Sequence, residues 1–577
     1  MNKRQKLPNY ILLLSTLILL AACKDKSSAD QPIVDNSISI IKQSSLTLSH
    51  IEKVNSDSSA HWLTTELLVL PKAETKLAYQ LVNKTNADFQ STELRPVEFP
   101  SNLGEKYPHL ADFQAYNVGL TRSQAKAWLK QQLIVVGTDA DESVKQVAYV
   151  QIGAVIDDLF TQGVNDANEE TNLGATISEK SVSFKLWAPT AKNVELLLFN
   201  DDLSSNEASP LQMKEDSTTG IWSASGDSAL NGAYYQYQIT VYHPETKKIE
   251  TLITTDPYSL SLSVNSKHSQ VVDLNAPSTQ PEHWGNHTVP TISNVEDNIF
   301  YETHIRDFSS DDNALSNNAF RGKYKAFSEE QSSGVTHLKS LRKAGLNNIH
   351  LLPTYDLASI NEDATVSVDI NDSITVVKTK VCNSHPELSL CSKDYTQLAD
   401  FNENQSLKSL LERLDVNGEE IQAIVSELRQ LDNFNWGYDP FHYTVPEGSY
   451  ALNPQGAARL VEFREMVQSL HGLGFRVIMD VVYNHTFQFG LKEKSVLDKV
   501  VPSYYHRLNI MTGEVEQTTC YTCGNTATER VMMAKLMTDS LVVWARDYKI
   551  DGFRFDLMGH QTKDSMLAAR EAVRAVD

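Results

Sequence analysis

Short stretches in which apolar and polar residues alternate run through the first part of the chain, from about His61 to Leu159. Trp62 to Leu70 and Gln146 to Ile156 have the two-residue period of half-buried β-strands. A stretch near Ser123 to Gln132 has helical spacing instead. The pattern therefore predicts a small β-rich domain over residues 59–162, interrupted by a helix, and it indicates no function for that domain.

A second β-rich domain is predicted after a polar boundary at Gly163 to Asn172. Its expected strands are Val182 to Trp187, Val194 to Phe199, Gly220 to Ala224 and Tyr234 to Tyr242. Turn residues recur about every 8 to 12 positions, which is typical of an Ig-like β-sandwich. We expect this sandwich to occupy residues 173–290, with Trp187 in its core rather than exposed as a platform for a sugar ring.

After Val295 the pattern changes to apolar strands that alternate with amphipathic helices. The predicted strands are Asn298 to Ile305, Asn347 to Leu352, Arg476 to Tyr483 and Gly552 to Leu557. Two of the helices carry apolar residues at helical spacing, namely Leu460, Phe463, Val467 and Leu470 on one and Met533, Leu536, Met537, Leu541, Trp544 and Tyr548 on the other. Such alternation predicts a parallel β/α architecture over residues 295–577. Its long insertion, residues 356–431, is of a length that usually has a function.

The first 23 residues are expected to be a targeting segment. A basic start, Lys3 to Lys6, precedes an apolar run, Tyr10 to Ala22, that is too short to span a bilayer. The run ends in Leu-Ala-Ala-Cys23, which resembles a lipoprotein signal-peptidase site in which the Cys23 thiol accepts a lipid. The alternative is a secreted protein without lipid. We expect export, lipid anchoring at the outer membrane or cell surface, and a polar tether over residues 24–58.

Charge and cysteine content narrow the function classes. The formal net charge of −22 disfavours nucleic acid and anionic membrane surfaces as partners, and fits a neutral substrate or a cation, although solubility alone explains it equally well. Without Cys23, the cysteines form two close pairs, Cys382 with Cys391 and Cys520 with Cys523. Outside the cytoplasm we expect two local disulfides. The Cys520–Cys523 spacing also suits half of a zinc site, but no second close Cys/His pair accompanies it.

The richest stretch in polar chemistry is Asp551 to His560. Arg554 and Asp556 are two positions apart on a predicted strand, so both side chains are expected on the same face. A carboxylate at the end of a buried strand is costly unless it is paired, and Arg554 would keep Asp556 ionised, as a nucleophile must be. The alternative is a structural ion pair. Strand ends are where β/α barrels place their active sites.

Two further stretches carry candidate residues at strand ends or loops. In Val477 to His485, Asp480 follows an apolar run and His485 comes where the strand gives way to a loop. Asn433 to Tyr443 is dense in aromatic residues and is punctuated by glycine and proline. Such a loop suits the flat C–H faces of sugar rings, although a capping histidine and a hydrophobic cluster would explain the same residues.

Together these stretches resemble, in their order, the conserved regions of the α-amylase superfamily. Asn435-Trp-Gly-Tyr-Asp-Pro440 is similar to the signature of pullulanases and other type I debranching enzymes. Tyr301 to Ser309 looks like the family's first barrel strand, and Gly334 to Leu338 with His350 to Pro353 looks like its second unit. The resemblance covers roughly residues 60 to 577. It implies that the β-sandwich is a carbohydrate-binding-type module and that residues 295–577 are an incomplete (β/α)8 TIM barrel with about four of eight units.

The resemblance also implies roles for individual residues. Asp556 would be the catalytic nucleophile, oriented by Arg554. The expected substrate-binding residues are Tyr438, His485, His560, Trp436, Asp439 and Asp480. The reaction would be retaining hydrolysis of α-1,6-glucosidic branch linkages in pullulan, amylopectin or glycogen. No cofactor is expected, and structural calcium stays open because no loop has Ca²⁺-specific spacing.

The family's general acid is a Glu on the fifth strand, beyond Asp577, so we expect the chain as given to be inactive. Two alternatives remain open at this stage. One is a neighbouring superfamily member, such as an amylopullulanase or a glycogen debranching enzyme. The other is a surface α-glucan-binding lipoprotein without catalysis.

Overall fold

A computed structural model describes residues 42–43, 51, 54–84, 89–392, 402–429, 431–520 and 522–576. They all belong to one compact unit, Ser39–Asp577. The expected targeting segment, its lipidation site at Cys23 and most of the tether lie outside the described residues. Within them, no helix is long and apolar enough to cross a membrane.

The first domain is a sheet that closes on itself. Its strands are β1 (Lys42–Gln43), β2 (Ser56–Thr64), β3 (Leu67–Leu70), β4 (Ala78–Lys84), β5 (Phe89–Val97), β6 (Gln114–Asn117), β7 (Gln132–Thr138) and β8 (Val144–Gln151). Helices α1 (Ser101–Lys106), α2 (Arg122–Trp128) and α3 (Gly153–Phe160) accompany them. The strand order is β1-β5-β4-β7-β8-β2-β3-β6, and β6 also pairs with β5.

Four details of the sequence prediction for this region are wrong. Trp62 to Leu70 is two strands, β2 and β3, rather than one. Gln146 to Ile156 ends as a strand at Gln151, because the apolar residues that follow form the largely buried helix α3. Helix α2 ends at Trp128 after a Thr121–Gln124 capping box, and Gln132 already begins β7. The tether is shorter than residues 24–58, since β1 pairs with β5 and β2 begins at Ser56.

The second domain is a β-sandwich of two antiparallel sheets. Its strands are β9 (Gly174–Ile177), β10 (Ser181–Trp187), β11 (Ala191–Phe199), β12 (Leu211–Gln212), β13 (Lys214–Asp216), β14 (Ile221–Asp227), β15 (Tyr234–His243), β16 (Lys248–Thr254) and β17 (Ser269–Gln270). One sheet has the order β13-β14-β10-β9 and the other β12-β11-β15-β16, with β17 also paired to β15. Inward residues alternate with outward ones along β15, as a two-layer core requires.

Trp187 lies in the core, as predicted. Its side chain is 2% exposed, and its indole Nε1 donates a hydrogen bond to the Thr219 carbonyl. The ring meets Tyr504 edge to face, with 4.8 Å between ring centroids. Because Tyr504 belongs to the β/α region, Trp187 joins the core of the sandwich to the core of the next domain.

The third domain has a parallel sheet in the order β18-β19-β22-β25, built from β18 (Phe300–Thr303), β19 (Asn348–Leu351), β22 (Arg476–Val481) and β25 (Gly552–Phe555). Its main helices are α4 (Ser333–Lys343), α8 (Ala458–Gly472), α10 (Val531–Asp547) and α11 (Lys563–Arg574). The shorter elements are β20 (Tyr355–Leu357), β21 (Pro440–Pro446), β23 (His485–Thr486), β24 (Gly524–Asn525) and α9 (Leu497–Val500). The apolar residues predicted for α8 and α10 are buried, and the four β/α units confirm the predicted partial barrel.

Each of the four strands is two to four residues shorter than predicted. Between β20 and β21, the insertion packs around a small apolar core of its own. It contains α5 (Ile374–Val381), α6 (Leu407–Leu411) and α7 (Glu419–Leu428). The Cys382–Cys391 disulfide joins the end of α5 to the short helical turn Ser389–Cys391. This unit begins near Val368 rather than at residue 356, since Asp356 is fully buried in β20.

Candidate functional site

The carboxyl ends of β22 and β25 bring three charged residues together. Asp480 and Arg554 are direct neighbours in the parallel register. Arg554 Nη1 donates hydrogen bonds to Asp480 Oδ1 at 2.9 Å and to Asp556 Oδ1 at 3.1 Å. Burial opposes the charge of Arg554, but the hydrogen bond and the charge of Asp480 outweigh it and raise the pKa of Arg554. A permanent positive charge therefore lies between two carboxylates.

Arg554 lies on β25, which pairs with β22 at the edge of the described sheet, and its side chain is 45% exposed there. Asp480 is the buried member of the group.

Asp556 is fixed by its backbone as well as by Arg554. Its N–H donates to the Val481 carbonyl at 2.9 Å, and its Oδ2 accepts a hydrogen bond from Asn484 Nδ2 at 3.3 Å. The next residue, Leu557, has a φ of 43°. A leucine in the left-handed region is uncommon and costs about 1–3 kcal/mol, and such conformations cluster at functional sites. The turn takes Asp556 out of the sheet at the strand's end.

Tyr438 and His485 stand beside this carboxylate group. The Tyr438 hydroxyl donates to Asp480 Oδ2 at 2.9 Å, and burial together with the Asp480 charge raises the pKa of Tyr438. His485 is 3% exposed, and its Nε2 lies 2.9 Å from the Tyr438 carbonyl oxygen. Burial lowers the pKa of His485, so its ring is neutral at pH 7. Asp480, Tyr438, His485 and Asp556 therefore form one connected group.

A glycine turn positions Tyr438 and Asp439. Gly437 has a φ of 87°, and a Cβ at this position would lie 3.0 Å from the Pro353 carbonyl oxygen. The Gly437 carbonyl also accepts a hydrogen bond from the Tyr355 hydroxyl at 3.0 Å. These constraints explain the glycine in the Trp-Gly-Tyr-Asp stretch. Asp439 Oδ2 accepts from the Ser359 hydroxyl at 2.7 Å, so Asp439 fixes the loop and makes no hydrogen bond to Arg554 among the described residues.

Trp436 is exposed at the mouth of this region. Its side chain is 67% exposed, and its ring meets Phe434 edge to face at 6.4 Å. Large exposed aromatic rings are unusual on a folded surface, and their faces suit the C–H faces of sugars. Trp436 is thus placed to contact a ligand and contributes little to the core.

His560 lies in the short turn after Asp556 and is held by Arg507, which the sequence analysis did not single out. Arg507 donates to the His560 carbonyl at 2.7 Å and pairs with both oxygens of Glu529 at 2.9 Å. Burial and the Arg507 charge lower the pKa of His560. Arg507 belongs to an irregular loop without a recognisable pattern, so no local signal could have identified it.

His350 and Glu302 also adjoin the carboxylates without having been predicted as site residues. His350 Nε2 lies 3.7 Å from Asp480 Oδ2, and its Nδ1 lies 3.4 Å from Glu302 Oε2. Both residues follow from the sheet order, because β18, β19 and β22 are neighbours. Both residues lie in stretches that resemble the first two barrel units, Tyr301 to Ser309 and His350 to Pro353, but the resemblance assigned them no role.

Two groups of described residues have donor atoms close enough to bind a metal ion. They are His485 with Cys520 and Cys523, and Asp356 with Glu362 and Glu447. In the second group, the buried Arg459 lies within reach of the carboxylates, with Nη1 2.7 Å from Glu362 Oε1. Its guanidinium already supplies the positive charge that such a cluster needs. In the first group, the two sulfur atoms are joined as a disulfide.

Comparisons with known proteins identify relatives of the two N-terminal domains and of the chain as a whole. The Pullulanase N2 domain family matches residues 57–158, and carbohydrate-binding module 48 (isoamylase N-terminal domain) matches residues 172–259. The chain is 38% identical to a pullulanase of Klebsiella pneumoniae over 538 residues, which are 90% of this chain and 48% of that protein. It is 36% identical to the chloroplastic pullulanase 1 of Arabidopsis thaliana, over 82% of this chain and 44% of that one.

Solved structures give the same result for the fold. The crystal structure of K. pneumoniae pullulanase complexed with maltotriose has a TM-score of 0.83 and 38% identity, covering 90% of this chain and 50% of that chain. The apo structure of K. pneumoniae pullulanase has the same TM-score and sequence identity, and the present chain covers 57% of it. The chain spans about half the length of the curated relatives it matches.

Proposed function

The chain belongs to the pullulanase family of the α-amylase superfamily, and we propose that it contributes the nucleophile and the sugar-binding residues for retaining hydrolysis of α-1,6-glucosidic branch linkages. Since the chain spans about half the length of its relatives, this activity is proposed for the protein in the form that its host makes. The observation that carries the proposal is the placement of Asp556 against Arg554 and Asn484 at the end of β25.

The proposed chemistry begins at the carboxylate of Asp556. Its ionised carboxylate attacks the anomeric carbon of the branch glucose, while a second carboxyl group gives a proton to the leaving oxygen. A covalent glycosyl-enzyme forms, and water hydrolyses it with that second carboxyl acting as base. Two such carboxyl groups lie roughly 5–5.5 Å apart in retaining enzymes. The hydrogen bond from Arg554 keeps the Asp556 carboxylate oriented throughout.

The neighbouring residues bind the sugar. The neutral His485 ring and Tyr438 border the position that the branch glucose would occupy, with Asp480 holding Tyr438. Trp436 offers an exposed face to the chain beyond the branch, and His560 lies on the leaving-group side. Their donors and faces fit a neutral polysaccharide such as pullulan, amylopectin or glycogen. The proposed reaction uses carboxyl groups and no cofactor. An experiment with a chelator tests whether calcium has a structural role.

Product analysis from pullulan tests the linkage preference. The protein in its host form is incubated with pullulan, in which maltotriose units are joined by α-1,6 links, and with amylose as a linear control. We expect maltotriose as the sole product from pullulan and no shortening of amylose. Cleavage of amylose would favour an amylopullulanase. Binding of pullulan without any product would favour the glucan-binding alternative and contradict the proposal.

We further propose that the protein is exported and lipid-anchored through Cys23. The basic start, the short apolar run and the Leu-Ala-Ala-Cys sequence support this. Growth of the host with labelled palmitate should label the wild-type protein, and Cys23→Ser should abolish the label and release the protein from the membrane fraction. Labelling that survives the substitution would contradict lipidation at this residue.

A further inference from the structure

The loop that contains Cys520 and Cys523 lies against the sugar-binding histidine. β23 and β24 pair antiparallel, with His485 opposite Asn525, so the chain between Cys523 and Asn525 runs beside His485. One ring nitrogen of His485 and the two cysteine sulfur atoms lie within 4.8 Å of one another. His485 lies 35 positions before Cys520 along the chain, so no local pattern marks it as a third ligand for this Cys-x-x-Cys pair.

The two nitrogens of His485 have different environments. Nε2 lies 2.9 Å from the Tyr438 carbonyl oxygen, which can only accept, so Nε2 carries the hydrogen. Nδ1 is buried and has no hydrogen-bond partner among the described residues. In the neutral ring, Nδ1 therefore holds a buried, unused lone pair. Buried polar atoms without a partner are few in folded proteins and call for an explanation.

This arrangement matches the way histidines bind metal ions. A metal-binding histidine almost always donates its other N–H to a carboxylate or a backbone carbonyl, which fixes the ring and the tautomer. Tyr438 supplies such a carbonyl to His485. A Cys-x-x-Cys pair is one of the common spacings of zinc ligands, and two thiolates with one imidazole leave a fourth position for water.

We propose that reduction of the Cys520–Cys523 disulfide creates a Zn²⁺ site formed by both thiolates and His485 Nδ1, and that zinc bound there closes the sugar-binding site. The closing of the site rests on the function proposed above, whereas the zinc site itself does not. With zinc bound, the imidazole is fixed to the metal and cannot contact the branch glucose. In the oxidised protein, the sulfur atoms are bonded to each other and His485 stays free.

The proposed site forms in two steps, reduction of the disulfide and binding of zinc. A phosphine reductant gives two electrons to the disulfide and takes an oxygen atom from water, whose two protons complete the two thiols. Zn²⁺ then replaces the two thiol protons, which pass to solvent. Cys523 is buried but Cys520 is partly exposed, so the reductant can approach the bond from the Cys520 side.

The test uses Co²⁺ as a spectroscopic substitute for Zn²⁺ on the host-made protein, before and after reduction with a phosphine. We expect thiolate-to-cobalt charge-transfer absorption in the reduced protein, at one Co²⁺ per chain, and none in the oxidised protein. Cys520→Ser with Cys523→Ser should abolish it, and His485→Ala, which removes a ligand, should weaken Co²⁺ binding by more than the roughly 10- to 100-fold that loss of an outer-shell partner costs. The matched control is Cys382→Ser with Cys391→Ser, which removes the other reducible pair and should leave the signal intact.

No uptake by the reduced protein would overturn the proposal, as would uptake that survives loss of Cys520 and Cys523. The second arm measures pullulan hydrolysis with and without Zn²⁺. Zinc should slow the reduced wild type at least about tenfold, reversibly with a chelator, and should not slow the Cys520/Cys523 double variant. Cobalt binding without inhibition would contradict closure of the site. Because cobalt binding is read without any substrate, a protein that never hydrolyses pullulan would refute the proposed function and leave the zinc site standing.

Discussion

Arg554 Nη1 donates a hydrogen bond to Asp556 Oδ1 over 3.1 Å, and the same nitrogen holds Asp480 at 2.9 Å. The planar guanidinium can join two carboxylates at fixed angles, whereas a lysine ammonium on a flexible stem cannot. Arg554 therefore fixes the orientation of the proposed nucleophile.

Arg554→Lys should lower kcat for pullulan about 100-fold or more, because the positive charge remains but the fixed geometry is lost. Steady-state kinetics of host-made protein provide the measurement. Arg570→Lys is the matched control, since Arg570 is an exposed residue that pairs with Glu571 on α11, and it should have no effect. Wild-type kcat in Arg554→Lys would show that Arg554 is only a structural partner.

Two tryptophans should respond in opposite ways to replacement by alanine. Trp436→Ala should raise KM for pullulan several-fold and leave the melting temperature unchanged, because the ring is 67% exposed. Trp187→Ala should destabilise the protein by about 3–5 kcal/mol, since its ring is packed against Tyr504. Both variants are compared with wild type by thermal unfolding and by measurement of KM for pullulan. An unchanged KM in Trp436→Ala would remove that residue from the proposed binding surface.

Stability should depend on pH through Glu447. Burial, with the nearby charges of Glu362 and Asp356, raises the pKa of Glu447 to about 8 from an ordinary 4.5. Between these values the folded chain holds a proton that the unfolded chain releases, so the stabilising contribution is complete below pH 4.5 and is lost as the pH rises through 8. Glu447→Gln cannot titrate and should flatten this dependence, although it loses a backbone hydrogen bond to the carboxylate.

Thermal unfolding of wild type and Glu447→Gln from pH 5 to pH 9 gives the comparison. The signature is a difference in melting temperature between the two proteins that shrinks as the pH rises. A constant difference across that range would mean that Glu447 is ionised throughout and that the pKa shift is absent.

The Cys382–Cys391 disulfide should stabilise the insertion and leave the barrel unaffected. It closes a loop of nine positions in a unit with its own small core, for which chain entropy predicts about 2–3 kcal/mol. Replacing both cysteines with serine should speed proteolysis within residues 368–431 by roughly tenfold or more. Mass spectrometry of the first fragments locates the cleavage. Equal cleavage rates with and without the disulfide would contradict this account.

The sequence predicted the elements that carry a strong local period. Helices α8 and α10 have apolar residues at every third or fourth position, and the structure buries them as predicted. By contrast, the run that ends at Ile156 was mistaken for strand, because it contains only the first turn of α3, Gly153 to Ile156, whose residues are all buried and too few to show a helical period. The polar stretch before residue 58 was assigned to the tether, although part of it pairs with β5 and β8.

In the candidate site, too, local contacts could be predicted from the sequence, and long-range contacts could not. Arg554 and Asp556 could be paired from the sequence because they are two positions apart on one strand. The contact between Arg507 and His560 spans 53 positions, and the approach of His485 to Cys520 and Cys523 depends on the pairing of β23 with β24. Neither could be predicted, because the residues involved are brought together by the fold and no local pattern marks them.

The most direct test of the whole account is the turnover of pullulan by Asp556→Asn, made in the host and compared with wild type and with Asp564→Asn. Asp564 is an exposed aspartate in the first turn of α11 and serves as the matched control. We predict that Asp556→Asn lowers kcat by about 10³-fold or more, with unchanged melting temperature and retained pullulan binding, while Asp564→Asn equals wild type. Turnover of Asp556→Asn at the wild-type rate would contradict the assignment of the nucleophile and, with it, the proposed mechanism.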